Sequence, residues 1–212
     1  MYNQKELWNK AHGEGDIAHH SKAATAFAEE VLLLLSTGSQ VLELGCGVGN
    51  DSVAFANAGH IVTATDFSEV AVAADKGRYK DVSGLTFQEL DMSQDFEFED
   101  NQFDAIYARL SLHYFTDVTT RKIFKELERV LRPDGKLFFI CKSTADPLYG
   151  KGVELQKDMY ELDGHVRHFF SEEYARSLLN EGFVVDKIES GTEEFYGHES
   201  AFVKAFAHVV KR

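Results

Sequence analysis

Between residues 39 and 141, short apolar runs typical of β-strands alternate with segments that have the apolar spacing of helices. The expected strands cover residues 39–44, 60–65, 85–90, 103–108 and 136–141, and the expected helices cover 50–58, 69–79 and 119–131. This alternation predicts an α/β fold, in which helices cover both faces of a mostly parallel sheet. After a further expected helix at 171–180, strand-like runs at 183–190 and 201–210 lack a helix-sized segment between them, so we expect an antiparallel pair at one edge.

Two segments fall outside the alternation, residues 1–20 and residues 143–170. Insertions that follow the carboxyl ends of strands lie over the ligand crevice of an open α/β sheet, and loops in general carry specificity. We therefore expect both segments to form walls or lids of a pocket. The 212 residues are enough to bury one full core, and we interpret residues 1–212 as a single domain.

The net charge of −13 argues against nucleic acid as a partner, because affinity for nucleic acid depends on Lys and Arg neutralising phosphates. The longest apolar run, VLLLL at residues 31–35, is too short to cross a membrane, and we interpret it as a buried helix end. The first 16 residues have no apolar leader, and the two cysteines have no CxxC spacing. We expect a cytoplasmic protein with reduced thiols.

The first strand leads into VLELGCGVGN, which places Gly45, Gly47 and Gly49 on alternate positions before an expected helix. Such a turn lets a ligand approach the bare backbone, where free N–H groups and the positive end of the helix dipole meet its polar atoms. The dinucleotide fingerprint GxGxxG is not matched, since Asn50 stands where its third glycine would be. The phosphate-binding pattern that ends in GK[ST] is also absent.

Acidic residues end the next two expected strands. Asp66 ends the second strand in ATDFS, 21 positions beyond Gly45, and a carboxylate there can accept both hydroxyls of a ribose. Asp91 follows the third strand, within reach of an adenine amino group. Three ligand-suited groups at the carboxyl ends of three successive strands together predict a site for an adenosine-containing ligand.

With these motifs the chain resembles the class I S-adenosylmethionine-dependent methyltransferases. The resemblance rests on VLELGCGVGN, ATDFS, ELDM, FDAIYARLSLHYF and LRPDGKLFFI, and it spans roughly residues 39–143. It is strongest toward the small-molecule enzymes of the group. It implies a Rossmann-like, doubly wound sheet of seven strands with the last strand antiparallel, and S-adenosylmethionine as the cofactor.

The resemblance also implies which residues of the glycine turn contact the cofactor. Gly45, Cys46 and Gly47 would lie against its methionine and ribose parts, with Gly49 closing the turn. Glu43 would lie beneath and order the turn.

The other strand ends supply the remaining contacts that the resemblance implies. Asp66 would hold the ribose hydroxyls and Phe67 would pack on the adenine. Asp91 would bind the adenine amino group, with the Met92 backbone nearby. The residues that leave the fourth strand, Arg109 and Leu110, would border the methionine part and the transferred methyl group.

Methyl transfer is an in-line displacement from a sulfonium, so the protein mainly aligns the reactants and excludes water. Aromatic faces can hold the cation, and the candidates are Tyr2, Trp8, Tyr107 and Tyr114. If the acceptor must lose a proton, the first candidate for a general base is His113, although a histidine in such an LHYF segment more often has a structural role.

The histidines of the two presumed lids are the remaining polar candidates. His168 is a candidate for the acceptor pocket. The spacing of His12, His19, His20, His165 and His168 supplies no clear three-ligand set, so we expect no metal.

The chain lacks the Pro-Pro-aromatic motif of amino-methylating DNA enzymes and the Pro-Cys of cytosine C5 enzymes, which favours a small-molecule acceptor. Three cations, Arg109, Lys142 and Arg167, are candidates for attracting an anionic one. A non-catalytic S-adenosylmethionine-binding module that acts through a partner protein stays open, and so does an NAD-linked oxidoreductase. The sequence leaves the acceptor, the methylated atom and the oligomeric state undetermined.

Overall fold

The computed structural model describes residues 4–13, 23–195 and 197–210. The helices are α1 (Gln4–Gly13), α2 (Ala26–Leu32), α3 (Asn50–Asn57), α4 (Glu69–Arg78), α5 (Asp117–Val130) and α6 (Glu172–Leu179). The strands are β1 (Gln40–Leu44), β2 (Ile61–Asp66), β3 (Leu85–Glu89), β4 (Phe103–Arg109), β5 (Leu131–Lys142), β6 (Val153–Gln156), β7 (Met159–Leu162), β8 (His165–His168), β9 (Phe183–Phe195) and β10 (His198–Val209). A short 3-10 turn covers Leu112–Tyr114.

Seven strands form one sheet in the order β3-β2-β1-β4-β5-β10-β9. The first five pair in parallel, and β10 runs antiparallel to both of its neighbours, β5 and β9. The predicted α/β fold with a mostly parallel sheet and an antiparallel final strand is therefore confirmed. The chain moves outward from β1 to β3 and then returns to β4, so the strand order reverses between β1 and β4, which is where open α/β sheets bind ligands.

The sheet is covered on both faces, and its central strands β1 and β4 are buried at nearly every position. Side chains alternate between the faces, and Leu42 and Leu44 of β1 pack with α5 and α6. Val41 points to the other face, where α2, α3 and α4 cover it. Each fully buried leucine or valine contributes about 1.5–3 kcal/mol relative to an exposed one, so these faces fix the register of the strands.

Local signals place the helix ends. The Ser68 side chain accepts a hydrogen bond from the Ala71 N–H and caps α4, as predicted, and Gly59 adopts a φ of 90° just after α3. The sequence places β5 at residues 136–141, but the strand begins at Leu131. The Arg132–Gly135 turn is accommodated as an irregularity within the strand, with Asp134 at a φ of 61°.

The segment after β5 contains structure that the sequence analysis did not predict. Strands β6, β7 and β8 form a separate three-stranded antiparallel sheet. Asp158, Asp163 and Gly164 adopt positive φ values at the two tight turns. Helix α1 packs against both α4 and β8, so it bridges the main sheet and the small one.

The interpretation of residues 31–35 as a buried helix end is wrong at Leu33 and Leu34, whereas Leu32 and Leu35 are partly buried against the core. Helix α2 ends at Leu32, after which Leu33 is 86% exposed and Leu34 is 43% exposed. The chain has left the helical face that packs on the sheet, so these leucines no longer point inward. Within the described ranges, no helix has the length and apolar character needed to cross a bilayer.

Candidate active site

The glycine turn lies at the reversal point of the sheet. Leu44 pairs with Thr65 on one side and with Ala108 on the other, so Gly45, Asp66 and Arg109 are the next residues on three adjacent strands. The N–H groups of Gly45 and Cys46 both donate to the Thr65 carbonyl at 2.8 Å. The turn is thereby anchored to the end of β2.

The three glycines are required for three different reasons, although all of them adopt left-handed φ values between 58° and 75°. A Cβ on Gly45 would lie 2.5 Å from the Ser111 Cβ, so the turn packs directly on the segment that follows β4. A Cβ on Gly49 would lie 2.9 Å from the Tyr79 ring. Among the described residues, a Cβ on Gly47 would have only the His12 ring nearby, at 3.9 Å, so within this part of the chain it is Gly47 that presents open backbone to a ligand.

The Asp66 side chain joins the turn to the start of α4. One carboxylate oxygen accepts the Gly47 N–H at 2.9 Å and the other accepts the Ser68 N–H at 2.8 Å. Burial raises the pKa of Asp66, and the Ser68 and Gly47 N–H groups and nearby His12 oppose that rise. A carboxylate has about four acceptor sites, so two N–H donors leave capacity for further hydroxyl donors.

Glu43 lies beneath the turn, as the resemblance implies, and receives a hydrogen bond from the Ser52 hydroxyl of α3. Its side chain is fully buried, and burial, together with the charge of Asp51, raises its pKa to about 8. At neutral pH Glu43 is therefore largely a neutral carboxylic acid. Burial also raises the pKa of the Cys46 thiol, so this cysteine is an uncharged packing group in the turn.

The end of β3 lies beside the end of β2. The N–H of Leu90 donates to the Asp66 carbonyl at 2.9 Å, which brings Asp91 and the buried Met92 to the same edge. One Asp91 oxygen accepts both the N–H and the hydroxyl of Ser93, at 2.9 Å and 2.7 Å. The predicted adenine-binding residues thus adjoin the predicted ribose-binding residue.

The fourth strand ends in a strained residue. Leu110 is not glycine, yet its φ is 55°, and its N–H donates to the Ile140 carbonyl at 2.8 Å. Residues held in sparsely populated backbone regions cluster at functional sites. Arg109, just before it, places its guanidinium 5.1 Å from the Phe195 ring centroid.

Helix α1 covers the turn from above. The Ser68 hydroxyl donates to the Asn9 side chain at 2.8 Å, and Lys5 lies 5.8 Å from the Phe67 ring centroid. His12 is the ring nearest to the open side of Gly47. The sequence analysis listed His12 only among the lid histidines and did not place it at the turn.

A wall of aromatic rings runs from α1 to β8. The Trp8 ring lies 5.3 Å from Tyr114 and 5.7 Å from His165, and Tyr114 lies 4.5 Å from His113. The structure therefore brings together two of the predicted pocket residues, Trp8 and Tyr114. It adds His165, which the sequence analysis had not assigned to the pocket.

His113, the candidate general base, lies in the 3-10 turn and has no surface exposed to solvent. Burial lowers its pKa well below the ordinary value, and the charges of Arg167 and Lys142 lower it further. The imidazole is therefore neutral. Neither ring nitrogen has a hydrogen-bond partner among the residues that the structure describes. Its role as a base stays a prediction.

Three further candidates from the sequence have different outcomes. Tyr107 is fully buried in the core, where its hydroxyl donates to Asp51 at 2.7 Å, so its assignment to the pocket is wrong. The cause is the alternation along β4, which points it into the core with Phe27 and Phe55. His168 packs against Phe170 and Tyr174, away from Trp8. Tyr2 lies outside the described residues.

The cations that the sequence proposes for an anionic acceptor also differ in their surroundings. Lys142 is neutralised by Asp146 at 2.9 Å and donates to the Ser200 hydroxyl at 2.7 Å, so its charge is not available to a ligand. Across residues 4–13, 23–195 and 197–210, no group of three or more histidine, cysteine or acidic side chains is placed to hold a metal ion.

Comparison with known proteins agrees with this geometry. Residues 41–135 match the family described as a methyltransferase domain. The chain is 29% identical over 183 residues to 27-O-demethylrifamycin SV methyltransferase of Amycolatopsis mediterranei, covering 76% of this chain and 66% of that protein. It is 34% identical over 120 residues to demethylmenaquinone methyltransferase of Clavibacter sepedonicus, covering 56% of this chain and 47% of that protein. The chain thus spans about half to two thirds of the length of these relatives.

A solved structure shows the same fold. The 1,6-didemethyltoxoflavin-N1-methyltransferase of Burkholderia thailandensis, with bound 1,6-didemethyltoxoflavin and S-adenosylhomocysteine, superimposes with a TM-score of 0.79 at 19% identity, covering 98% of this chain and 88% of that chain. Residues 41–135, which include the glycine turn and strands β2 to β4, therefore match a methyltransferase domain, and the seven-stranded sheet has the fold of a methyltransferase of known structure.

Proposed function

We propose that this chain binds S-adenosylmethionine at the glycine turn and transfers its methyl group to a small-molecule acceptor held under α1 and β8. The observation that carries the proposal is the open side of Gly47. Among the described residues, a Cβ built there would meet neither a side chain of the core nor the segment after β4. The acid beside it, Asp66, retains acceptor capacity for hydroxyl groups.

The residues present fit this cofactor. Gly45, Cys46 and Gly47 would contact its methionine and ribose parts, Asp66 the ribose hydroxyls, and Asp91 the adenine amino group. When bound, the cofactor supplies a methyl group on a positively charged sulfur, which is the leaving group of the reaction.

The chain itself supplies alignment and the exclusion of water. The strained Leu110 and the adjacent Arg109 border the end of the turn, and Trp8 and Tyr114 form an aromatic wall near it. Holding two reactants in line accounts for much of the rate of such a transfer, and it needs no nucleophilic residue of the protein. Both of the relatives described above are named as methyltransferases of small organic molecules, which supports an acceptor of this class.

The NAD-linked alternative is disfavoured by the turn. Asn50 is already the first residue of α3, and the space beside Gly49 is filled by Tyr79 and Phe87. A dinucleotide turn would need its third glycine one position later, to let the helix approach a pyrophosphate.

Two measurements test the proposal. Titration calorimetry with S-adenosylhomocysteine and, separately, with NAD should show binding of the first alone. Incubation with methyl-labelled S-adenosylmethionine and fractionated small molecules from a cell extract should then yield a labelled product. Tight binding of S-adenosylhomocysteine with no labelled product from any fraction would favour the non-catalytic module. Binding of NAD without binding of S-adenosylhomocysteine would overturn the cofactor assignment.

A further inference from the structure

Strand β8 presents a cation toward the aromatic wall. Side chains two positions apart on a strand share a face, so His165 and Arg167 point the same way. The His165 ring contacts Trp8 of α1, which identifies this face as the one that looks toward the proposed acceptor site. His168 alternates to the other face and packs on Tyr174.

Arg167 has no hydrogen bond or ion pair with any residue that the structure describes, and its Nε is buried. This separates it from the other two cations that the sequence proposes for an anionic acceptor. Lys142 is held by Asp146, and Arg109 packs on Phe195. A guanidinium is always charged in proteins, and leaving a buried N–H donor without an acceptor costs about 1–3 kcal/mol, so an acceptor from outside the described chain would be stabilising.

Two imidazoles beside Arg167 also have buried ring nitrogens that lack a hydrogen-bond partner in the described part of the chain. Nδ1 of His165 and both ring nitrogens of His113 are buried without a partner among the described residues. Burial and the Arg167 charge lower the pKa of each, so both rings are neutral and each can donate one hydrogen bond. Among the described residues, no acidic side chain is hydrogen-bonded to these buried nitrogens, and the nearby Asp163 charge only partly opposes the lowering of the His165 pKa.

We propose that Arg167, with the neutral imidazoles of His113 and His165 beside it, binds a carboxylate group of the methyl acceptor. A single permanent positive charge matches a singly charged anion better than a dianionic phosphate. The planar guanidinium fork suits the two oxygens of a carboxylate. The Trp8 and Tyr114 rings provide an apolar surface for the body of the molecule, which favours an aryl carboxylate.

The rest of the surface makes this selectivity local. The chain carries a net charge of −13, so anions are not attracted to it in general. Binding of a carboxylate would therefore report on the β8 cluster rather than on the overall field. The inference concerns the acceptor and rests on the proposed function.

The test uses fluorine NMR of the full chain saturated with S-adenosylhomocysteine. The probes are a pooled panel of fluorinated aryl carboxylic acids, each matched by its primary amide and by the corresponding aryl phosphate. The acids should show line broadening far more often than their amides, and the best acid should bind more tightly than its phosphate. Arg167→Gln should weaken the best acid by about tenfold or more, the usual loss for a charge-assisted hydrogen bond.

Arg176→Gln on the exposed side of α6 is the matched control and should leave the acids unaffected. S-adenosylhomocysteine affinity, measured by calorimetry for all three proteins, should stay unchanged, which shows that the fold and the cofactor site are intact. Acids that bind no more often than amides would overturn the inference, because ordered water would then be enough for these donors. The inference would also be overturned if the phosphates bound best or if Arg167→Gln left binding of the acids unchanged. Failure of the wild type to bind S-adenosylhomocysteine would instead contradict the proposed function.

Discussion

The backbone N–H of Gly47 donates to the carboxylate of Asp66 over 2.9 Å, which joins the tip of the glycine turn to the end of the neighbouring strand. The acid that the resemblance assigns to the ribose is therefore also a structural part of the turn. Asp66 is therefore expected to contribute both to the stability of the fold and to ligand binding. These two contributions can be separated only when affinity and stability are measured together.

Replacing Asp66 should strongly reduce the thermal shift that S-adenosylhomocysteine produces in the wild type. Asp66→Ala removes the acceptor of the Gly47 and Ser68 N–H groups as well as the expected ribose contacts, so we expect affinity to fall by about tenfold or more. Melting temperatures with and without ligand, checked by calorimetry, measure the effect. Asp186→Ala, at an exposed acid on β9, is the control and should keep the full shift. An Asp66→Ala protein with an undiminished shift would contradict the ribose assignment.

The three glycines should respond differently to alanine. All have positive φ, so backbone strain of about 1–2 kcal/mol is common to each substitution. Gly45→Ala adds a clash with Ser111 and should lower the melting temperature much more than Gly47→Ala, whose new Cβ meets, among the described residues, only His12 at 3.9 Å. Gly47→Ala should instead weaken S-adenosylhomocysteine binding. Equal loss of stability in the two variants, measured by denaturant unfolding, would show that Gly47 is not the open position of the turn.

Glu43 should make the protein less stable as the pH rises above neutrality. Its pKa is about 8 in the folded state and 4.5 ordinarily, so between these values the folded state holds a proton that the unfolded state has lost. Stability therefore falls with rising pH across this window. Glu43→Gln, which mimics the neutral acid, should flatten the fall between pH 7 and 8, as seen in the free energy of unfolding.

Asp75 provides the comparison for this experiment. Burial raises the pKa of Asp75 to about 7, so its contribution to the pH dependence of stability ends near that pH. Asp75→Asn should flatten the stability curve below about pH 7 and leave the decline above pH 7 in place. A decline between pH 7 and 8 that persists in Glu43→Gln would rule out Glu43 as its source.

His113 should act in the opposite direction, on the acid side. Its pKa in the folded state lies well below 6.5 because the ring is buried, so below pH 6.5 the unfolded state binds a proton that the folded state does not. The His113 contribution to stability should then rise with pH up to about 6.5, at up to about 1.4 kcal/mol per pH unit, against the falling contributions of Glu43 and Asp75. His113→Gln should remove one proton's share of this slope, while His198→Gln, at an exposed position on β10, should not. Unfolding curves at pH 5–7 with identical slopes for all three proteins would show that His113 does not stay neutral in the fold.

Much of the main sheet can be predicted because its strands are buried on both faces. A strand such as Gln40–Leu44 is a short, mostly apolar run with Val41, Leu42 and Leu44, and flanking turn residues mark its ends within one position. The glycine turn, Asp66 and Asp91 could be placed together for the same reason, since parallel strands align their carboxyl ends. Tyr107 shows the limit, because the same burial that identifies β4 also points this ring into the core.

The sequence pattern did not predict the small sheet of β6 to β8 or the cluster of His165 and Arg167 on it. Strands β6 to β8 have four residues each and carry polar side chains on an exposed sheet, so their pattern differs little from that of a loop. Which face of β8 holds Arg167 depends on two hairpin registers and on the position of α1. The packing of Gly45 on Ser111 likewise joins residues 66 positions apart, a contact that no local pattern encodes.

Helix α1 covers the site from one side, yet none of its ten residues is buried. Its attachment to the rest of the molecule relies on partly exposed polar contacts and on ring contacts of Trp8, which together contribute little free energy. Thermodynamic linkage then works in both directions. A ligand that touches this helix tightens its docking by the same factor by which docking tightens the ligand, so cofactor and acceptor can favour each other's retention through a shared, weakly attached element.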